Sequence, residues 1–210
     1  MFPNRQALVR RWRASRFAED RGQTIGIYIV AMAALFFLAF AYFAVGQAAV
    51  NRNSAQTAAD AAALAAARET RDGVKDAFLA ALKSGDTDTL TALLAGQGMD
   101  GTDGCAAAVE YADLNQADAA PCTPVHDPPG WTVAVKSRQS VGKSVVDGTE
   151  DIYATAQATA VVQARCTEPV AAPPDSVRFS CGDAGEVTVD PNDPNFTLDL
   201  SMFYSVHLTS

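Results

Sequence analysis

Histidine is very scarce in this sequence, and its scarcity limits the chemistry that the protein can perform. The 210 residues include two histidines, His126 and His207, and neither lies near a nucleophile motif. Nucleophilic catalysis by serine or cysteine needs a neighbouring base, which is usually histidine. The sequence also lacks a C-x-x-C pair of the kind that holds zinc. We therefore predict a protein that is not an enzyme and that needs no cofactor or metal.

Basic residues are scarce outside the N-terminus. The chain has 16 lysines and arginines against 24 acidic residues, a net charge of −8. The first 22 residues hold six arginines against Glu19 and Asp20, a net +4, so the remainder must carry −12 to give the total of −8. Binding to nucleic acid phosphates depends on lysine and arginine. The acidic main part therefore excludes nucleic acid as an expected partner.

Charged residues are absent from residues 25–50. A helix of these 26 residues would be roughly 39 Å long, whereas the hydrocarbon core of a bilayer is about 30 Å thick. Basic residues on one side of such a helix keep that side in the cytoplasm. We expect residues 1–23 to be a basic cytoplasmic tail and residues 24–50 to span the cell membrane once. The arginines that set this topology are Arg10, Arg11, Arg13, Arg16 and Arg21.

A cleaved signal peptide is the alternative interpretation of this N-terminus. The small residues around positions 44–48 resemble a cleavage site. The apolar cores of signal peptides are usually about 7–15 residues long, however, and the run here has 26 residues with several aromatic side chains. A retained anchor in the lipid bilayer is favoured.

Glycine and proline are absent from residues 51–72, which are rich in alanine, the strongest helix former. We expect the membrane helix to continue to Gly73 as a stalk that lifts the rest of the chain away from the bilayer. Small side chains permit close packing, and two uses of the alanines stay open: the protein's own sheet covers them, or other subunits pack against them. The residues of this interaction stalk are Gln56, Ala58, Ala59, Asp60, Ala62, Ala63, Leu64 and Ala66.

Residues 73–210 are expected to form one extracytoplasmic α+β domain. Apolar spacing predicts short helices at residues 74–82 and 90–94, and a glycine-rich loop follows at residues 96–104. Alternating apolar residues then predict strands at residues 131–135, 152–165, 177–180, 186–189 and 196–208. Helices followed by strands are typical of an α+β fold with an antiparallel sheet.

The tail and the anchor contain no cysteine. Cys105, Cys122, Cys166 and Cys181 all lie in the part that is expected to be outside the cytoplasm, where disulfides persist. Four cysteines allow three pairings. We favour the two local pairs, Cys105 with Cys122 and Cys166 with Cys181, because each closes a short loop. Each loop would contribute about 3 kcal/mol in the chain-entropy model.

Two short motifs flank the apolar run. Residues 20–23 read Asp-Arg-Gly-Gln, and residues 56–67 read Gln-Thr-Ala-Ala-Asp-Ala-Ala-Ala-Leu-Ala-Ala-Ala. Over about residues 17–68 they resemble the N-terminal module of the TadE/TadG-like proteins of tight-adherence (Flp) pilus assembly. The resemblance implies a non-enzymatic, pilin-like assembly component of a bacterial pilus or a related secretion system. Its partners would be other pilus subunits, assembly-platform proteins or further copies of the chain.

One departure from pilin sequences affects processing. Prepilin cleavage follows a glycine and usually leaves glutamate as the fifth residue, whereas the fifth residue after Gly22 is Ile27. We predict that the chain is not matured as a typical pilin and stays anchored. The alternative function is a membrane-tethered module that binds a ligand outside the cytoplasm through Trp131, Tyr153 and Tyr204.

Overall fold

A long helix joins the apolar run to the rest of the molecule. The computed structural model describes residues 23–99, 104–142, 148–172 and 175–209. Helix α1 is Gln23–Gly73, a length of 51 residues that corresponds to roughly 75 Å. Residues 25–50 stand almost entirely exposed, whereas most side chains of residues 55–70 contact the remainder of the chain. One continuous helix thus has an isolated half and a packed half.

Three shorter helices follow. They are α2 (Lys75–Ser84), α3 (Thr87–Leu94) and α4 (Gly104–Leu114). Gly85 ends α2 with a φ of 67°, a left-handed conformation that glycine adopts readily. Asp86 caps α3 by accepting hydrogen bonds from the backbone N–H and hydroxyl of Thr89, which lower the pKa of its carboxyl group. Helices α2 and α3 confirm the two predicted short helices, whereas α4 was not predicted.

The strands form two antiparallel sheets, not the single predicted sheet. The four-stranded sheet has the order β1, β2, β3, β7, and the three-stranded sheet has the order β4, β5, β6. The strands are β1 (Ala117–His126), β2 (Pro129–Ser140), β3 (Tyr153–Ala164), β4 (Thr167–Ala172), β5 (Ser176–Cys181), β6 (Gly185–Val189) and β7 (Tyr204–Thr209). Strands β1 and β4 were not predicted.

The strand predicted at residues 196–208 begins eight residues later than expected. Strand β7 begins at Tyr204, and Leu200–Met202 form a 3-10 helix instead. Ser201 donates its backbone N–H to the carboxylate of Asp199, and Asn195 donates in the same way to Asp193. Such local side-chain bonds satisfy backbone groups that a strand would otherwise pair.

The alanine face of α1 packs on the four-stranded sheet. Val133 and Val135 of β2 pair with Ala158 and Ala156 of β3 on the same face of the sheet. These small and branched side chains join the buried alanines of α1 in one core. This half of the helix therefore contributes side chains to the same core as the sheet, and its distance from the bilayer stays a prediction.

An aromatic cluster connects the two sheets. Phe78 of α2 lies with its ring centroid 4.8 Å from that of Phe203, and Phe179 of β5 lies 4.9 Å from Phe203. Tyr204 of β7 completes the cluster, 6.1 Å from Phe78. The cluster fills the space between helix α2 and the inner ends of both sheets.

Both disulfides are the local pairs that the sequence favours. Cys105 pairs with Cys122 and ties α4 to β1, whereas Cys166 pairs with Cys181 across 15 residues of sequence. The second bond connects the chain just after β3 to the end of β5. It therefore closes the open end of the β4–β5 hairpin, because Thr167, next to Cys166, pairs with Ser180, next to Cys181.

Candidate functional site

The packed half of α1 leaves one narrow strip of its surface uncovered. Its members follow one another at intervals of three or four residues, which places them on one helix face. We call them the exposed stripe, and they are Asn53, Thr57, Asp60, Leu64 and Arg68. Gln56 lies beside the stripe and donates its side-chain N–H to Asp60 at 2.8 Å. The stripe is polar apart from Leu64, which is half-buried.

The structure separates the eight predicted stalk residues into two groups. Gln56, Asp60 and Leu64 remain at or near the surface. The alanines have no exposed side-chain surface, because the sheet and helix α4 cover them; they are Ala58, Ala59, Ala62, Ala63 and Ala66. Of the two uses that the sequence left open, packing against the protein's own sheet applies to these five. A partner that approaches this half of α1 meets the exposed stripe.

The isolated half of α1 is an uncovered apolar surface. Side chains such as Ile27 and Phe36 are 65% and 61% exposed. Among the described residues, this helix alone is long and apolar enough to cross a membrane. Burying such a surface in lipid removes a large apolar area from water. The topology-setting arginines Arg10, Arg11, Arg13, Arg16 and Arg21 lie outside the described residues.

The end of α1 that is distant from the anchor is fixed by a tryptophan. Trp131 of β2 donates its indole N–H to the hydroxyl of Thr70 at 2.7 Å, and that hydroxyl donates to the carbonyl of Ala66. Gly104 of α4 lies against the same indole, since a Cβ there would come 2.4 Å from Trp131 Nε1. Helix α1, helix α4 and the sheet thus meet at Trp131.

The three aromatics of the ligand-binding alternative do not share a surface. Trp131 packs against the core, and Tyr204 is 2% exposed within the aromatic cluster. Tyr153 is 41% exposed at the other end of the sheet, where the Nζ of Lys136 lies 4.6 Å from its ring centroid. No observation therefore favours a recognition site built from these side chains.

Charged side chains link α4 to the sheet. Arg138 of β2 forms ion pairs with Asp118 of β1, at 2.8 Å, and with Asp113 of α4. The hydrogen bonds to Asp118 and Asp113 raise the pKa of the guanidinium group. Across the part of the chain that the structure describes, no three His, Cys, Asp or Glu side chains are grouped to hold a metal ion.

A comparison with protein families finds a match over most of helix α1. Residues 22–69 match the family model described as Flp pilus-assembly TadE/G-like. Residues 22–69 are thus similar to TadE/G-like proteins. The match confirms the resemblance found in the sequence, and it runs from the start of α1 to the end of its buried alanine face. It indicates a role related to Flp pilus assembly, and the family is named for assembly and not for a catalysed reaction.

The family match ends at residue 69. No curated protein and no solved structure matches the sequence. The two sheets and the two disulfides must therefore be interpreted from their own geometry.

Proposed function

We propose that the protein is a single-pass membrane protein that acts without catalysis as a minor pilin-like or assembly component of a bacterial Flp pilus or a related secretion system. Its N-terminus lies in the cytoplasm, α1 crosses the membrane, and the disulfide-bonded domain lies outside the cytoplasm. It acts through contacts with other pilus subunits or with the assembly platform.

One observation carries this proposal: the family match covers both the apolar half and the alanine-rich half of helix α1. The match over residues 22–69 includes the uncovered apolar half and the buried alanine half of α1. The first half has a surface suited to lipid, and the second half holds a folded domain directly on the same rigid helix. A helix anchored at one end and carrying a sheet at the other suits an assembly subunit.

The exposed stripe is the surface that we assign to partner contacts. It offers the side-chain oxygens and amides of Asn53, Thr57 and Asp60, the partly covered Leu64 and the charge of Arg68. Interfaces built from one helix face use residues spaced at three and four positions. The stripe has that spacing and continues directly from the membrane helix.

Photo-crosslinking in the native host tests this assignment. A photoreactive amino acid at Thr57 should capture a pilus subunit or an assembly-platform protein, identified by mass spectrometry. The matched control is Thr188 of β6, an exposed threonine in the three-stranded sheet. A probe at Thr188 should not capture that protein.

Two results would contradict the proposal. If the Thr57 probe captures only lipid and its own chain while the pilus is being assembled, the exposed stripe is not an assembly surface. If instead both probes capture the same partner to the same extent, the capture is not specific to the exposed stripe and the assignment fails.

A further inference from the structure

Hydrogen bonds connect the two sides of the β2–β3 hairpin near its end. We call it the hairpin tip and define it as residues 140–142 and 148–153. Ser140 pairs with Tyr153, and Val141 donates its backbone N–H to the carbonyl of Ile152 at 2.8 Å. The hydroxyl of Thr149 donates to the carbonyl of Gly142 at 2.7 Å. These bonds hold the tip as an extension of the sheet.

The hairpin tip lies against α1 and extends toward the anchor. Asn51 donates its side-chain N–H to the carbonyl of Ser140 at 2.8 Å. A Cβ on Gly142 would lie 3.7 Å from Oε1 of Gln47, one turn closer to the membrane. A groove of about 710 Å³ separates tip and helix; its helix wall includes Ala39, Tyr42, Phe43, Gly46, Gln47, Val50 and Asn51. The tip therefore lies beside the last turns of the apolar run.

The helix geometry gives the height of the tip above the membrane. About 20 helical residues cross the hydrocarbon core, so a span that begins at Ile25 leaves it near Ala44. At about 1.5 Å per residue, Gln47 lies roughly 5 Å and Asn51 roughly 10 Å beyond that boundary. The headgroup region extends about 5–8 Å on each side of the hydrocarbon. The contact with Gln47 thus places Gly142 at headgroup height, and the contact with Asn51 places Ser140 just above it.

The exposed side chains of the tip suit that position. Ile152 is 53% exposed, and Tyr153, the first residue of β3, is 41% exposed. Tyrosine and lysine are enriched at the membrane surface, and Lys136 lies over the ring of Tyr153. Glu150 and Asp151 are also exposed, which keeps the tip out of the hydrocarbon.

We propose that the hairpin tip is a second membrane contact, seated in the headgroup region of the extracytoplasmic leaflet beside α1. The inference rests on the proposed function in one respect, namely that α1 spans the membrane. The partner is the lipid surface, because the tip continues the surface of the anchor at the height where that surface leaves the bilayer. Two contacts, helix and tip, fix the orientation of the domain relative to the membrane.

Spin-label accessibility in the full chain tests the second contact. The variant Ile152→Cys, labelled with a nitroxide after both native disulfides have formed, is placed as a single copy in a phosphatidylcholine nanodisc. The matched control is Val170→Cys on β4, an aliphatic residue that is 55% exposed, in the other sheet. A label at Leu35→Cys reports on the anchor. Collisions with a water-soluble nickel chelate and with lipid-soluble oxygen are measured at each site.

We expect the label at Ile152 to collide several-fold less with the nickel chelate than the label at Val170, and more with oxygen. If both labels behave alike while Leu35 is in lipid, the tip inference is overturned and the anchor stands. If the label at Leu35 is accessible to the chelate, the anchor itself is wrong. Protection of Ile152 from both reagents would indicate cover by protein, and this also overturns a lipid contact.

Discussion

Tyr204 is the largest of the fully buried side chains, and among the described residues its hydroxyl has no hydrogen-bond partner. Burial raises the pKa of this hydroxyl well above its usual value of 10.0, because the phenolate would lie in the apolar aromatic cluster. Below pH 10.0 the side chain is neutral in the folded and the unfolded chain. Above it, the unfolded chain releases a proton that the folded chain retains, so stability falls as the pH rises.

The substitution Tyr204→Phe should therefore change stability in a pH-dependent way. Near neutral pH we expect no loss and a gain of up to about 1 kcal/mol, since a buried hydroxyl without a partner is removed. Above about pH 10 the wild type should lose up to about 1.4 kcal/mol per pH unit relative to the variant. Chemical denaturation at several pH values measures both effects.

Tyr111→Phe on α4 is the control, because that side chain is 40% exposed. It removes an exposed hydroxyl and should leave the stability at neutral pH unchanged. A Tyr204→Phe variant that is markedly less stable at neutral pH would show that the hydroxyl has a partner in the folded protein.

At the scale of secondary structure, the alanines of α1 determine how close the helix lies to the sheet. Ala62 has no exposed surface, whereas the adjacent Ala61, about 100° around the helix, is partly exposed. A larger side chain at Ala62 would have to displace the facing valines and alanines of β2 and β3. The same side chain at Ala61 extends toward solvent.

We therefore expect Ala62→Leu to destabilise the domain by about 1–3 kcal/mol, the range found for overpacked cores. Ala61→Leu should stay within about 0.5 kcal/mol of the wild type, because leucine is a good helix former and the site is at the surface. Thermal unfolding in detergent compares the two. Equal stability of both variants would mean that the alanine face is not packed on the sheet.

The elements that escaped prediction did so for separate reasons. Pro121 and Pro124 argue against a strand at residues 117–126, yet β1 is an edge strand, where a missing backbone N–H is tolerated. The sequence did contain evidence for helix α4, since residues 106–112 are rich in alanine. This segment, however, directly follows a glycine-rich loop. For β1, a local sequence pattern could not show that the strand would lie at the edge of a sheet, where proline is tolerated.

At the scale of the whole molecule, the burial of residues 55–70 changes the residue at which we expect the folded domain to begin. The sequence predicted a domain of residues 73–210 on a separate stalk. The core, however, contains side chains of α1 together with those of both sheets, Ala63 and Phe179 among them. We expect the cooperative folding unit to begin near Asn51.

Two fragments test this boundary. A fragment of residues 51–210 should fold as a soluble domain with both disulfides and a cooperative unfolding transition. A fragment of residues 74–210 should not, because the sheet face that Ala58 to Ala66 cover would be exposed to water. Cooperative unfolding of the shorter fragment would show that the helix is dispensable for the domain, as the stalk prediction required.

The sequence by itself determined the features that depend on local composition. An uncharged run of 26 residues specifies an apolar helix, and the absence of glycine and proline after it specifies its continuation. The short spacing within each cysteine pair favoured the disulfides that form. The motif around Asp60 was specific enough to indicate the family, because it is a local pattern of residues along one helix.

Only the tertiary structure decided which surfaces meet. An alanine-rich helix is small on every side, so its sequence does not indicate which face a sheet covers; packing on β2 and β3 buried Ala62 and left Thr57 exposed. The contact of Asn51 with Ser140 joins residues 89 positions apart. The register of the β2–β3 hairpin, and not any local pattern, brings its tip back to the end of the membrane helix.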